Sequence, residues 1–187
     1  MHNIGNDIVD LKLAKTASSW RRKGFLEKQF TKREREEIHA SEDPFLKVWL
    51  FWSMKEAAYK CYTQSVKKRF FAPQKFECSI LSSSEGLVVF KEMKFYTSSY
   101  FDTFHLHTLA RETQKKGKLF CAVGVPKELN KAIKKRLAAA MGILPKEIEK
   151  RKTLVGAPLF YHEKTRLTKS CSISHHGDYG AYLFSLK

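Results

Sequence analysis

Residues 44–62 read PFLKVWLFWSMKEAAYKCY, and the fold turns on how this stretch is read. Asp43-Pro44 is a helix start signal, with proline in the first turn where its missing amide is no loss. From Phe45 to about Tyr62 the apolar spacing is helical. At about 100° per residue, Phe45, Val48, Trp49, Trp52 and Tyr59 share one stripe, and Leu50, Met54 and Ala57 cover much of the other side. A helix with so little polar surface belongs in an interior. Yet Glu56 falls in the middle of the aromatic stripe, with Lys55 before it and Lys60 one turn later. A carboxylate there is expensive to bury unless a cation meets it. Two readings stand at this point. Lys60 is four residues on, so an intrahelical ion pair is within reach. Alternatively, Glu56 is a metal ligand or a base on the floor of a site, which requires a second carboxylate from elsewhere.

Working outward, NIGNDIVDL (3–11) reads as a short strand and turn. SSWRRKGFLEKQF (18–30) reads as a short basic helix weakened or broken at Gly24. TKREREEIHA (31–40) opens with a capping box, Thr31 capping while Glu34 reaches back to its amide. After Pro73 the segments KFECSIL, LVVFKEMKFY, TFHLHTLA and KLFCAVGV are strand-like, rich in β-branched and aromatic residues. PKELNKAIKKRLAAAMGI is an amphipathic helix from Pro126 to near Gly142. A loop-rich stretch, 154–170, leads to two final strands, CSISHH and YGAYLFSLK, joined at Gly177-Asp178. With no repeat and no low-complexity linker, residues 1–187 read as one α+β domain, an antiparallel sheet packed against the long buried helix.

Thirty-five Lys and Arg against nineteen Asp and Glu leave a net charge of +16 on 187 residues. Such a field favours a polyanion or an acidic partner. Cys61, Cys78, Cys121 and Cys171 are scattered without a C-x-x-C pair, which reads as free thiols in a reducing compartment. MHNIGNDIVDL lacks a basic region followed by an apolar run, and no run approaches the roughly 18 apolar residues of a membrane span. The expectation is a cytoplasmic protein with no membrane segment.

Asp7 is the candidate second carboxylate, between Gly5 and a β-branched pair where the chain leaves the strand; an Asx-turn or cap is the plainer use of such a residue. Two oxygen ligands from separate segments, completed by water and substrate phosphates, suit Mg²⁺. In SISHHG (172–177), Ser174 and His175 at a strand end can hydrogen-bond a phosphate, or they form a plain hairpin. His105 and His107 alternate on one strand and read as two half-exposed histidines with no third ligand in register.

Together, GND at 5–7, WSMKEAAYK at 52–60 and SISHHG at 172–177 resemble the 4'-phosphopantetheinyl transferase superfamily, and their order is closest to the holo-acyl-carrier-protein synthase group. FLEKQFTKREREEI (25–38) and VGAPLF (155–160) resemble two further elements of that group. The resemblance implies the family's fold and transfer of phosphopantetheine from coenzyme A to a serine of an apo acyl or peptidyl carrier, as in fatty acid biosynthesis, releasing adenosine 3',5'-bisphosphate. It further implies Asp7 and Glu56 on Mg²⁺, Glu56 as the base, and Lys60 on the transferring phosphate. Lys55, Lys60, Ser174 and His175 would contact coenzyme A. Arg21, Arg22 and Lys23 would dock an acidic carrier protein.

Three departures accompany the resemblance. Val9 stands where the larger branch has a further acid, so two protein ligands are expected. No glycine follows the motif lysine closely. The middle of the chain is also long for a synthase that assembles as a homotrimer with sites between subunits; a monomer would close the site within one chain. The competing reading is a basic nucleic-acid-binding module, for which KKRFF (67–71) supplies a fragment of interleaved cations and aromatics.

Overall fold

The computed structural model describes residues 3–66, 70, 72–115 and 117–187. In chain order the elements are β1 (Ile4–Asp10), α1 (Leu11–Ala17), α2 (Phe25–Gln29), α3 (Lys32–His39) and α4 (Pro44–Val66), then β2 (Glu77–Ile80), β3 (Glu85–Phe90), β4 (Met93–Phe101), β5 (His105–Arg111) and β6 (Phe120–Gly124). α5 (Leu129–Met141) follows, then β7 (Ile148–Lys152), β8 (Pro158–His162), β9 (Thr165–Arg166), β10 (Thr168–His176) and β11 (Tyr179–Leu186). A five-stranded antiparallel sheet has the order β1-β5-β4-β3-β2, a three-stranded one β10-β11-β6, and a small one β7-β8-β9. This is the mixed architecture read from the sequence, antiparallel sheets with one long helix.

Helix α4 packs on the five-stranded sheet. Val48, Phe51, Met54, Ala57, Ala58 and Cys61 join Val88, Phe95 and Leu106 in one core. From Pro44 to Gln64 no side chain is fully exposed, as the near-continuous apolar surface requires. The aromatic stripe holding Glu56 is nevertheless the less buried side: Trp52, Glu56, Tyr59 and Lys60 are all half-buried. A second core gathers Leu129, Ile133 and Leu137 of α5 against Cys171, Tyr182 and Phe184. All four cysteines are free. Among the described residues no helix is long and apolar enough to cross a membrane.

Several local readings change. The chain turns into α1 directly after β1, because Asp10 caps it by accepting the Leu13 amide at 2.9 Å. The expected basic helix over 18–30 is instead a turn ended by Gly24 at φ 81°, with α2 starting only at Phe25. LVVFKEMKFY is two strands, because Lys91 at φ 54° reverses the chain. The stretch 154–170 contains β8 and β9 rather than loop alone. The capping box at Thr31 is present in both halves.

Two contacts position β1. Gly5 lies directly on the helix backbone: a Cβ there would sit 2.0 Å from the Ala57 carbonyl oxygen and 2.6 Å from the Cys61 nitrogen. Only a residue without a side chain lets the strand approach so closely. Gly5→Ala should therefore push β1 off α4, lowering unfolding free energy by about 1–3 kcal/mol in a urea titration.

The second contact is at the sheet edge. β1 is an edge strand, and its free amides are met by side chains of β10 instead of a backbone ladder. The Ile4 amide donates to Ser170 Oγ at 3.3 Å, Asn6 to Ser172 Oγ at 3.0 Å and Asp10 to His176 Nδ1 at 2.9 Å. The separation is 166 residues at every step, so the two strands run parallel and in register. This protects an otherwise unpaired edge and accounts for the alternating serines of β10.

Candidate active site

Asp7 and Lys60 meet across the β1–α4 contact that Gly5 permits. Lys60 Nζ donates to Asp7 Oδ1 at 2.8 Å and to the Asn6 carbonyl at 3.1 Å. An ammonium has three donors, so one remains. Glu56, one turn earlier on α4, has its pKa raised: burial disfavours the charge first, and the Asp7 carboxylate adds repulsion against which Lys60 only partly compensates. The intrahelical pair is thus not what Lys60 forms; its bonds go to β1. Two carboxylates from separate segments and a cation now share one corner.

Beside Lys60 a cavity of about 170 Å³ opens between α4, the turn before β8 and β10. It is lined by Lys60, Thr63, Gln64, Val155 to Pro158, and Cys171 to Ile173. Gly156 holds φ 85° there, in a turn closed by the Gly156 amide donating to the Thr153 carbonyl at 2.9 Å. VGAP and the start of the SISHH strand, both far from α4 in sequence, therefore flank the same lysine.

Not every expected residue joins them. Lys55 is 2% exposed and ion-paired with fully buried Glu34 at 2.8 Å. Its other donors go to the carbonyls of Pro73 at 3.0 Å and Phe76 at 2.6 Å. All three hydrogens are used inside the protein, which leaves Lys55 no spare donor for a phosphate. Glu34 is equally committed, accepting from the amides of Thr31 and Cys78 at 2.8 and 2.7 Å. The sequence marked Glu34 only as half of a capping box; the box is also where it meets the counter-ion of Lys55.

Ser174, expected at the nucleotide, is also engaged inside the protein. It is buried, and its Oγ accepts from Asn6 Nδ2 at 3.0 Å. His175 beside it is exposed. His107 is buried rather than half-exposed, within 3.2 Å of Asn6 Nδ2 through Nε2; burial, with His105 and Lys60 nearby, lowers its pKa to about 4. His105 stacks on Tyr179 with ring centroids 5.0 Å apart and lies 3.2 Å from Asp102. Among the described residues no three His, Cys, Asp or Glu side chains gather as a metal cluster.

Arg21, Arg22 and Lys23 are exposed in the turn between α1 and α2. Arg21 lies over the Trp20 ring at 4.6 Å and Arg22 over Phe25 at 5.2 Å, which holds both guanidinium groups at the surface. Of KKRFF, residues 67–69 and 71 lie outside the described residues. Phe70 packs edge-on against Tyr59 and Tyr62 and stacks on Phe76 and Phe90, so it is engaged within an aromatic cluster rather than presented to a base.

A pair of carboxylates, an ammonium with a spare donor and an adjoining cleft make a site suited to a phosphate ester. The family model of the 4'-phosphopantetheinyl transferase superfamily matches residues 3–121, well over half of the chain, and the chain belongs to that superfamily. The superfamily's reaction, transfer of phosphopantetheine from coenzyme A to a carrier protein, places it among the transferases. No curated protein matches the chain.

Proposed function

We propose that this chain, acting as one domain over residues 1–187, moves the 4'-phosphopantetheine group of coenzyme A onto a serine of an acidic apo carrier protein, in the manner of the holo-acyl-carrier-protein synthases. The observation that carries the reading is the corner where Lys60 bonds Asp7 at 2.8 Å and burial, with the charge of Asp7 beside it, raises the pKa of Glu56. The direct juxtaposition of β1 and β10 supports a site closed within one chain, without a neighbouring subunit.

The donor set fits Mg²⁺. Both carboxylates are hard oxygen ligands from separate segments, and their mutual repulsion is what a divalent cation relieves. Asp7 and Glu56 would hold it, and when bound it would neutralise charge on the diphosphate oxygens. Glu56, its pKa raised chiefly by burial, accepts the proton of the carrier serine. The serine oxygen forms a bond to the phosphorus bearing the pantetheine arm. The bond from that phosphorus to the bridging oxygen breaks, and adenosine 3',5'-bisphosphate leaves. Lys60 turns its third donor to the phosphate oxygens that gather charge. His175 and the VGAP turn would hold the nucleotide end.

The test is incubation with coenzyme A, Mg²⁺ and apo carrier proteins, read by intact mass: the carrier must gain the phosphopantetheine arm. If several apo carriers remain unmodified, the reading fails. Arg21→Glu with Arg22→Glu should raise KM for the carrier about tenfold at low salt, less at high salt, through lost steering. Coenzyme A affinity should stay as it was; equal loss of both would remove the docking assignment.

A further inference from the structure

Asn6 stands between Gly5 and Asp7, and the transfer as described makes no use of its side chain. That side chain is wholly buried, and the residue reaches three separate elements. Its amide donates to Ser172 Oγ on β10 at 3.0 Å. Its carbonyl accepts from Lys60 of α4 at 3.1 Å. Its Nδ2 lies 3.0 Å from Ser174 Oγ on β10 and 3.2 Å from His107 Nε2 on β5.

With Nδ2 supplying both hydrogens, His107 accepts on Nε2 and carries its own proton on Nδ1. At neutral pH the ring is uncharged, so the acceptor is kept. The Asn6 Oδ1 atom, by contrast, has no partner at all. A buried, half-satisfied amide is a poor device for stability alone, where a β-branched residue would suit the strand better. What the amide does achieve is a link between strands. One presents Asp7 and receives Lys60; the other carries Ser172 on the cleft wall and His175 at its end.

We propose that Asn6 is a positioning residue: held in orientation by His107 of β5, its side chain locks β1 to β10 through Ser174, so that the Asp7–Lys60 corner and the His175 end of the site keep one spacing along bound coenzyme A. This rests on the reading that coenzyme A lies along the Lys60 cleft toward His175. Side-chain bonds, unlike a backbone ladder, leave the register of these two strands to a few hydroxyls, one imidazole and one amide.

The test is calorimetric titration of coenzyme A into the full chain. Asn6→Ala deletes both Nδ2 bonds and keeps the two backbone bonds; it should weaken coenzyme A binding about tenfold and leave KM for the apo carrier within about twofold. Ser174→Ala removes a single hydroxyl from the other end of the same bond, so it serves as the test if Asn6→Ala fails to fold, and it should give the same loss. The double variant should be no worse than either single one, because both remove one link. A role in folding alone would lower the melting temperature and leave the affinity of the folded fraction unchanged, which overturns the proposal. So would losses that multiply in the double variant, or equal loss of carrier and coenzyme A. If the wild-type chain does not bind coenzyme A in this titration, the underlying reading fails, and the proposal with it.

Discussion

Glu56→Gln is expected to abolish transfer, lowering kcat by about 10²–10⁴-fold as for loss of a general base, while leaving the protein folded and slightly more stable. The stability gain follows from the sign of the shift. Burial and Asp7 raise the Glu56 pKa above its ordinary 4.5, so the ionised side chain is disfavoured in the folded state. Below pH 4.5 the carboxyl is protonated both folded and unfolded, and the fold loses nothing. As pH rises through the raised pKa, the folded state bears the full penalty. A neutral amide escapes it, so the melting temperature of Glu56→Gln should exceed wild type at neutral pH and converge with it in acid. In activity the same shift bears on the acid limb: kcat/KM should fall as Glu56 protonates, at a pH above the 4.5 of an ordinary glutamate. Mg²⁺ held by Glu56 as proposed would compete with that proton, so its binding, measured by calorimetry, should weaken over the same range and in the variant. Retention of a tenth of wild-type kcat by Glu56→Gln would remove Glu56 from the base role.

Lys55→Met should have the largest effect on stability, costing about 3–5 kcal/mol in a denaturant titration. The substitution leaves Glu34, with no exposed surface, as a buried charge without its cation, and it orphans the carbonyls of Pro73 and Phe76. Adding Glu34→Leu should recover only part of the loss, because the Thr31 and Cys78 amides that Glu34 accepts would then go unmet. Coenzyme A affinity of the folded Lys55→Met protein should be unchanged. If stability moved by less than about 1 kcal/mol and coenzyme A affinity fell, Lys55 would return to the site. The two neighbouring residues thus divide the roles: Lys55 fastens α4 to the α3 side of the core, which leaves Glu56 free for the opposite task.

α4 was legible because its apolar spacing persists over many turns, and Thr31 with Glu34 because a capping box is local in sequence. Asp7, Glu56 and Lys60 could be named from residue type and setting, since a carboxylate on an aromatic helix face asks for an external partner. α1 was not legible: its only signal was Asp10 as a cap, in a segment that also reads as strand. Nor could the helix sequence separate Lys55 from Lys60. Both are lysines beside Glu56, and what distinguishes them is a partner 21 residues back for one and 53 back for the other. Asn6 and the serines of β10 lay further from reach, because bonds spanning 166 and 168 residues leave no periodic trace. By itself the sequence determined which groups are costly to bury, and so which must find partners. Only the tertiary structure decided which partner each one takes, because that choice depends on which distant segments the packing of α4 and β1 brings within hydrogen-bond length.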